Sequence, residues 1–314
     1  MQSDCHPGGI TLTILCRVVH QEHIGLGPSQ CQIGRQHGLG VVVPLHVKRG
    51  HFSAPKDSEP VTRLNRLVDG DGKSSHSRMH EDTGAVREFF DRWEVYKAFV
   101  VQNYLHHREA MAAFTEWLDA RGPVGDFLDL GCGDSVFTSK ILASRNVASY
   151  TGVDCSPVAL RLAEENLSCC AFPRNLICAD FFQEIPKMTA VFDVIFIGLS
   201  FHHLPTNDKT TFLRSVRSRL KPSGGLAFFE PVRLDGEDRE GFLARTSEHA
   251  HAAYTGLTPD ELEGALTHIR SADFPESPAT YCRMAHDAGF GQAGMLYICP
   301  EKLFALIACT AIEA

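Results

Sequence analysis

A doubly wound α/β fold built on a mostly parallel sheet is the architecture this sequence predicts. Three observations carry it. From Asp126 to Glu230, apolar runs that end at or near acidic residues alternate with amphipathic stretches. The first of these runs enters FLDLGCGDS (Phe127–Ser135), where Gly131 and Gly133 permit a tight turn into a helix. The run Phe192–Gly198 is apolar throughout after Asp193, as a central strand covered on both faces requires.

The elements follow in order. Strands are predicted over 126–130, 149–154, 175–180, 192–198 and 226–230, with helices over 136–143, from 157 to about 167, and over 206–220. Ser156-Pro157 supplies an N-cap and a first-turn proline. In the 206–220 helix Phe212, Val216 and Leu220 share one face, and Lys209, Arg214, Arg217, Arg219 and Lys221 are expected on a solvated one. Pro222-Ser223-Gly224-Gly225 turns the chain into the fifth strand. Residues 232–289 form a helical insertion, with a capping box at Thr258 and Glu261, a start at Ser277-Pro278 and a stop at Gly289. Two final strands, 294–299 and 303–309, are joined so tightly by Pro300-Glu301-Lys302 that they must be antiparallel. Upstream, Val86, Phe89, Phe90, Trp93, Val100 and Tyr104 mark one amphipathic helix, and 109–120 a second.

Composition narrows the class. The 314 residues suffice for one large domain with additions. Residues 1–80, rich in Gly, Pro, Ser and His, show little periodicity and are expected to be an irregular or disordered extension, with Met79 a candidate start. The domain then runs over 81–314: N-terminal helices at 85–121, a ligand-binding core at 126–231, a helical cap at 232–289 and a terminal hairpin at 290–310. No apolar run is long enough to span a bilayer and no signal peptide is expected, so a cytoplasmic protein is predicted. The 11 cysteines lack paired spacing and read as reduced thiols, and no metal site is expected. The formal net charge is −8 although residues 1–80 hold 9 Lys/Arg against 6 Asp/Glu, so the body after residue 80 is acidic, which disfavours a nucleic-acid partner.

Chemistry concentrates at the carboxyl ends of the strands, where open α/β sheets bind ligands. Asp129 flanks the glycine turn, Asp154 ends the second strand and Asp180 the third. An acid about twenty residues past a glycine turn suits a ribose diol, because a carboxylate accepts from both hydroxyls. A further acid could accept from an adenine amine. The spacing alone leaves a nicotinamide dinucleotide open, although Val136 stands where that pattern needs a third glycine.

These motifs resemble the class I S-adenosylmethionine-dependent methyltransferases over residues 85–310, most strongly over 127–230. DLGCGDS matches that family's glycine loop, with Ser135 where a third glycine is usual; Asp154 in TGVDCS matches its ribose-binding acid and Asp180 in CADFF the position beside adenine. FDVIFIGLSFHHL and LKPSGGLAFFEP match the fourth strand and the turn into the fifth. The resemblance implies a Rossmann-like sheet of seven strands, order 3-2-1-4-5-7-6 with the last antiparallel. It implies S-adenosylmethionine as cofactor, held by Asp129, Gly131, Cys132, Gly133, Asp154, Cys155, Asp180, Phe181 and Gly198.

Methyl transfer from a sulfonium asks the protein mainly to orient the acceptor and exclude water. If the acceptor must lose a proton, His202 or His203, just after the fourth strand, is the candidate base. Tyr96, Tyr104, Phe201, Glu230 and Tyr254 are the candidate acceptor contacts. The stretch after strand four lacks the Asn/Asp-Pro-Pro pattern of nucleic-acid amino methyltransferases, so a small-molecule acceptor is expected. The alternative is a catalytically silent relative serving as a binding or regulatory module. A monomer or homodimer is expected.

Overall fold

The computed structural model describes residues 98–311. The expectations for 1–80, for most of the first amphipathic helix and for Tyr96 lie outside those residues. The described elements are α1 (His107–Arg121), β1 (Gly125–Leu130), α2 (Val136–Leu142), β2 (Val147–Asp154), α3 (Pro157–Leu167), β3 (Arg174–Cys178), α4 (Phe181–Glu184), β4 (Phe192–Gly198) and α5 (Thr206–Arg217). After them come β5 (Leu220–Pro231), α6 (Arg239–Ala253), α7 (Pro259–Ala272), α8 (Pro278–Asp287), β6 (Phe290–Ile298) and β7 (Phe304–Ala311). The strands form one sheet in the order β3-β2-β1-β4-β5-β7-β6. The first five pair in parallel, and β7 runs antiparallel to both β5 and β6.

Strand alternation explains the layering. Phe127, Val194, Phe196, Ala227 and Phe229 point to one face, where Ala110, Phe114 and Leu118 of α1, Leu142 of α2 and Ala163 and Leu167 of α3 meet them. Leu128, Leu130, Ile195, Ile197, Leu226 and Phe228 point to the other, under Phe212, Leu213 and Val216 of α5 and Tyr281 and Ala285 of α8. The crossovers change face between β1 and β4, which puts the switch point beside the glycine turn. Phe114, fully buried, stacks on Phe196 at 4.5 Å between ring centroids and lies 6.5 Å from Phe127, and so ties α1 to the two central strands.

The insertion covers the carboxyl edge of the sheet. A third apolar cluster joins Phe99 and Val100 to Ala250, Tyr254 and Leu266, with Phe137 of α2 and Val158 and Leu162 of α3 packed against it. Tyr104 and Tyr254 stack at 4.4 Å, and Phe99 meets both edge-on. The segment between α7 and α8 forms a strap. Phe274 N–H donates to the His202 carbonyl, Arg233 N–H donates to the Glu276 carbonyl, and Glu276 bridges Val232.

Several boundaries depart from expectation for local reasons. The helix expected over 206–220 stops at Arg217, because Leu220 pairs with Phe192 as a strand residue and is buried there. The ladder resumes at Val194 opposite Gly225, so residues 221–224 bulge out of it. β3 ends at Cys178, and Asp180 instead caps α4 by accepting from Phe182 N–H at 2.9 Å. Helical structure over 98–101 gives way before Tyr104, with Asn103 and His106 at positive φ. Lys209 overturns the solvated-face expectation. It is fully buried, its ammonium 3.2 Å from Glu276 and bonded to the Phe274 carbonyl, because the strap folds over that side of α5.

Two substitutions test this arrangement. Phe114→Ala should cost about 3–5 kcal/mol in urea unfolding, the loss expected of a large buried aromatic. Glu276→Ala strands Lys209 without its carboxylate and should cost about 3–5 kcal/mol by the same measurement.

Candidate functional site

The turn after β1 is held open by its backbone. Gly131, Gly133 and Ser135 have φ of 65°, 52° and 56°, so the chain passes through left-handed conformations at alternate residues. Gly131 and Cys132 N–H both donate to the Val153 carbonyl of β2, at 2.9 and 3.1 Å. Asp154, fully buried, accepts from Gly133 N–H at 2.8 Å and from Ser156 N–H at 2.9 Å, one carboxylate oxygen to each. One acid thus fixes both the turn and the start of α3. Ser135, which keeps the third left-handed φ despite its side chain, places its hydroxyl 2.8 Å from that of Tyr150.

Asp129 has a supporting role. Its Oδ2 accepts from Thr138 Oγ1 at 2.8 Å and Tyr150 Oη at 2.7 Å, which locks β1, α2 and β2 together beneath the turn. Packing there is close. A Cβ added at Gly152 would come within 2.9 Å of Cys132 Sγ and Leu176 Cδ2.

The other expected cofactor residues surround this turn. Cys155 follows Asp154 and is half-buried, its carbonyl 3.7 Å from Cys178 Sγ on the neighbouring strand. Asp180 is exposed, with Phe181 beside it buried against Phe182 and Phe212. Gly198 closes β4, and its carbonyl accepts from Ser200 Oγ. The sheet therefore brings the three acids and the glycine turn to one edge, as their positions at the strand ends require.

The candidate acceptor residues divide. Tyr104 and Tyr254 meet in the cap, and Tyr104 Oη accepts from Gly256 N–H at 2.7 Å. Burial raises the Tyr254 phenol well above its ordinary pKa. Phe201 was expected to line a pocket but is fully buried, 5.6 Å from each of Phe212, Phe228 and Tyr281. It belongs to the core because α8 folds back over it. Tyr281 is sequestered in the same place.

Glu230 lies at the end of β5 with no exposed surface, under the strap rather than facing a pocket. Its carboxylate accepts from the N–H groups of Ser200, Phe201 and His202 at 3.0–3.1 Å and lies 2.5 Å from His202 Nδ1. Burial pushes this carboxyl up to about 8, against the opposing pull of the three N–H groups. His202 is 2% exposed and faces carboxylates with both ring nitrogens, Glu230 on one side and Asp273 on the other at 3.6 Å. Desolvation holds its pKa well below the ordinary value, and that of His203 likewise. A sealed, neutral His202 is placed to position the turn rather than to reach an acceptor.

Sequence reasoning missed Asp273, Glu276 and the burial of Lys209. Nothing local distinguishes them. Only the strap, which crosses back some seventy residues along the chain, brings them to α5 and the turn after β4.

Residues 127–224 match the family described as "Methyltransferase domain". A carboxy-S-adenosyl-L-methionine synthase from Shewanella amazonensis is 24% identical over 206 residues, 61% of this chain and 82% of the relative. A trans-aconitate 2-methyltransferase from Enterobacter sp. (strain 638) is 36% identical over 112 residues, 36% of this chain, and the match spans only 41% of that relative. In fold, the chain is similar to an O-methyltransferase family protein from Burkholderia thailandensis, with a TM-score of 0.50 and 13% identity over 74% of this chain and 61% of that one. The matched segment is the one that carries the glycine turn and the three acids, and the sheet follows the order which that resemblance implied; over this segment the chain is similar to the S-adenosylmethionine-dependent methyltransferases.

Proposed function

We propose that this protein transfers the methyl group of S-adenosylmethionine to a small-molecule acceptor by in-line displacement. The observation that carries the reading is the turn Gly131–Ser135, held in left-handed conformations and fixed by Asp154 at the carboxyl end of β2. The residues present suit the cofactor's parts. A carboxylate offers about four acceptor positions, so Asp154 can receive ribose hydroxyls beside the Gly133 and Ser156 N–H groups. Asp180, exposed at the end of β3, stands where an adenine amine would find an acceptor. Gly131 and Gly133, lacking Cβ atoms, let the backbone approach the methionine end.

The bound cofactor supplies the electrophilic methyl, and the chain supplies orientation and exclusion of water. The cap is suited to exclusion, since its apolar cluster already covers α2 and α3 next to the turn. The sealed state of His202 favours an acceptor that reaches the site as its own nucleophile and needs no side-chain base. The relative named for trans-aconitate, a small acid that is ionised at neutral pH, supports this acceptor class. The acidic body supports a small acceptor over a nucleic acid. Among the described residues no helix is long and apolar enough to cross a membrane.

Calorimetry with S-adenosylmethionine and with its demethylated product tests the reading. Binding of both is expected, and Asp154→Ala should weaken it at least about tenfold, the loss of a charge-assisted hydrogen bond. Absence of binding to the folded native chain would overturn the proposal. Binding without turnover across a panel of carboxylate, hydroxyl and amine acceptors would instead identify a silent relative.

A further inference from the structure

Two imidazoles and a carboxylate converge beneath the strap in a way that hydrogen bonding does not explain. His202 Nε2 and His203 Nδ1 each lie 3.6 Å from Asp273 Oδ1, beyond hydrogen-bond range. Asp273 Oδ1 and His203 Nε2 are buried and have no hydrogen-bond partner. A buried polar atom left in this state is destabilising unless something else satisfies it. One candidate donor atom from each of the three residues can be chosen so that all lie within 4.8 Å of one another.

We propose that His202, His203 and Asp273 bind a divalent transition-metal ion, zinc first among them, and that this ion pins the strap to the turn after β4. Donor atoms bound tetrahedrally at about 2.0–2.1 Å stand about 3.3–3.4 Å apart, so the 3.6 Å between His202 Nε2 and Asp273 Oδ1 need contract by only a few tenths of an ångström, with the unpartnered Nε2 of His203 as the third donor. The surroundings are those of a metal-binding imidazole. His202 directs Nδ1 to the Glu230 carboxylate at 2.5 Å, which leaves Nε2 to face Asp273. His203 directs Nδ1 to the Ala272 carbonyl at 3.1 Å. Outer partners of these two kinds fix the ring orientation and raise ligand basicity.

Charge and softness agree. Two imidazoles with one carboxylate suit zinc better than calcium or magnesium, which prefer oxygen. Lys209, a buried ammonium nearby, is engaged by Glu276 and the Phe274 carbonyl. His268 Nε2, 3.9 Å from the same Asp273 oxygen, adds a third imidazole at the margin. The proposal does not depend on the methyl-transfer reading, and its test reads metal rather than activity.

The full chain, stripped with a chelator, is titrated with zinc against a chromophoric competitor. One tight equivalent is expected that His203→Ala and Asp273→Asn each weaken at least about a hundredfold, with folding followed by circular dichroism. Glu230→Gln should weaken it about 10–100-fold, the usual effect of losing an outer partner. Cobalt(II) bound to the native chain should give visible ligand-field bands without thiolate charge transfer, a readout that remains decisive if a variant fails to fold. Zinc affinity unchanged in the variants, no tight zinc on the native chain, or a cobalt thiolate band abolished by Cys299→Ser would overturn the proposal. The last outcome would assign the metal to His106, Cys299 and Glu301, the other donor cluster among the described residues.

Discussion

The Glu230 carboxylate is the constraint on which the carboxyl edge of the sheet depends. It gathers three consecutive N–H groups from the turn after β4 and also meets the His202 ring. Those N–H groups open a short helical turn, and a buried acceptor satisfies them away from water. The same contact fixes the distance between the ends of β4 and β5. It also aims His202 at Asp273, and the strap is located by that aim and by the Phe274–His202 backbone bond.

Much of this fold was legible because its signals are local. The apolar runs of β1 and β4 announce strands buried on both faces, and they are buried. Ser156-Pro157 and the Thr258/Glu261 box mark helix starts that the structure places at Pro157 and Pro259. What escaped depends on distant contacts. Leu220 has the spacing of a helix stripe yet pairs with Phe192, because the β4 edge offers it a partner once Arg217 ends the helix. Lys209 reads as solvated in any local window, and only Glu276, far along the chain, makes its burial affordable. The site divides along the same line. Its turn and acids lie within two successive βαβ units and could be found, whereas Asp273, which meets His202 from the strap, could not.

The cap and the strap place different demands on the same insertion. α6 and α7 present Ala250, Tyr254 and Leu266 to an apolar seam shared with residues 98–105, held by packing and a stacked tyrosine pair. The strap between α7 and α8 is held by charge and backbone hydrogen bonds, through Lys209, Arg233 and Glu276. Apolar seams yield to small rigid shifts, whereas a buried charge network breaks only at high cost. The insertion is thus anchored firmly at one end and more loosely where it overlies the ligand edge.

The contact between Gly152 and Cys132 has a consequence for how this sequence can change. The thiol of the turn, with Leu176 and Tyr150, occupies the space that a side chain on β2 would need, so these positions share a single small volume. A larger residue at 152 must be matched by smaller or shifted ones among these neighbours, and a chain that gains bulk at position 152 first would press on the glycine turn itself. Any route by which this site diversifies is therefore ordered: the side chains at 132, 150 and 176 must give way before position 152 can grow.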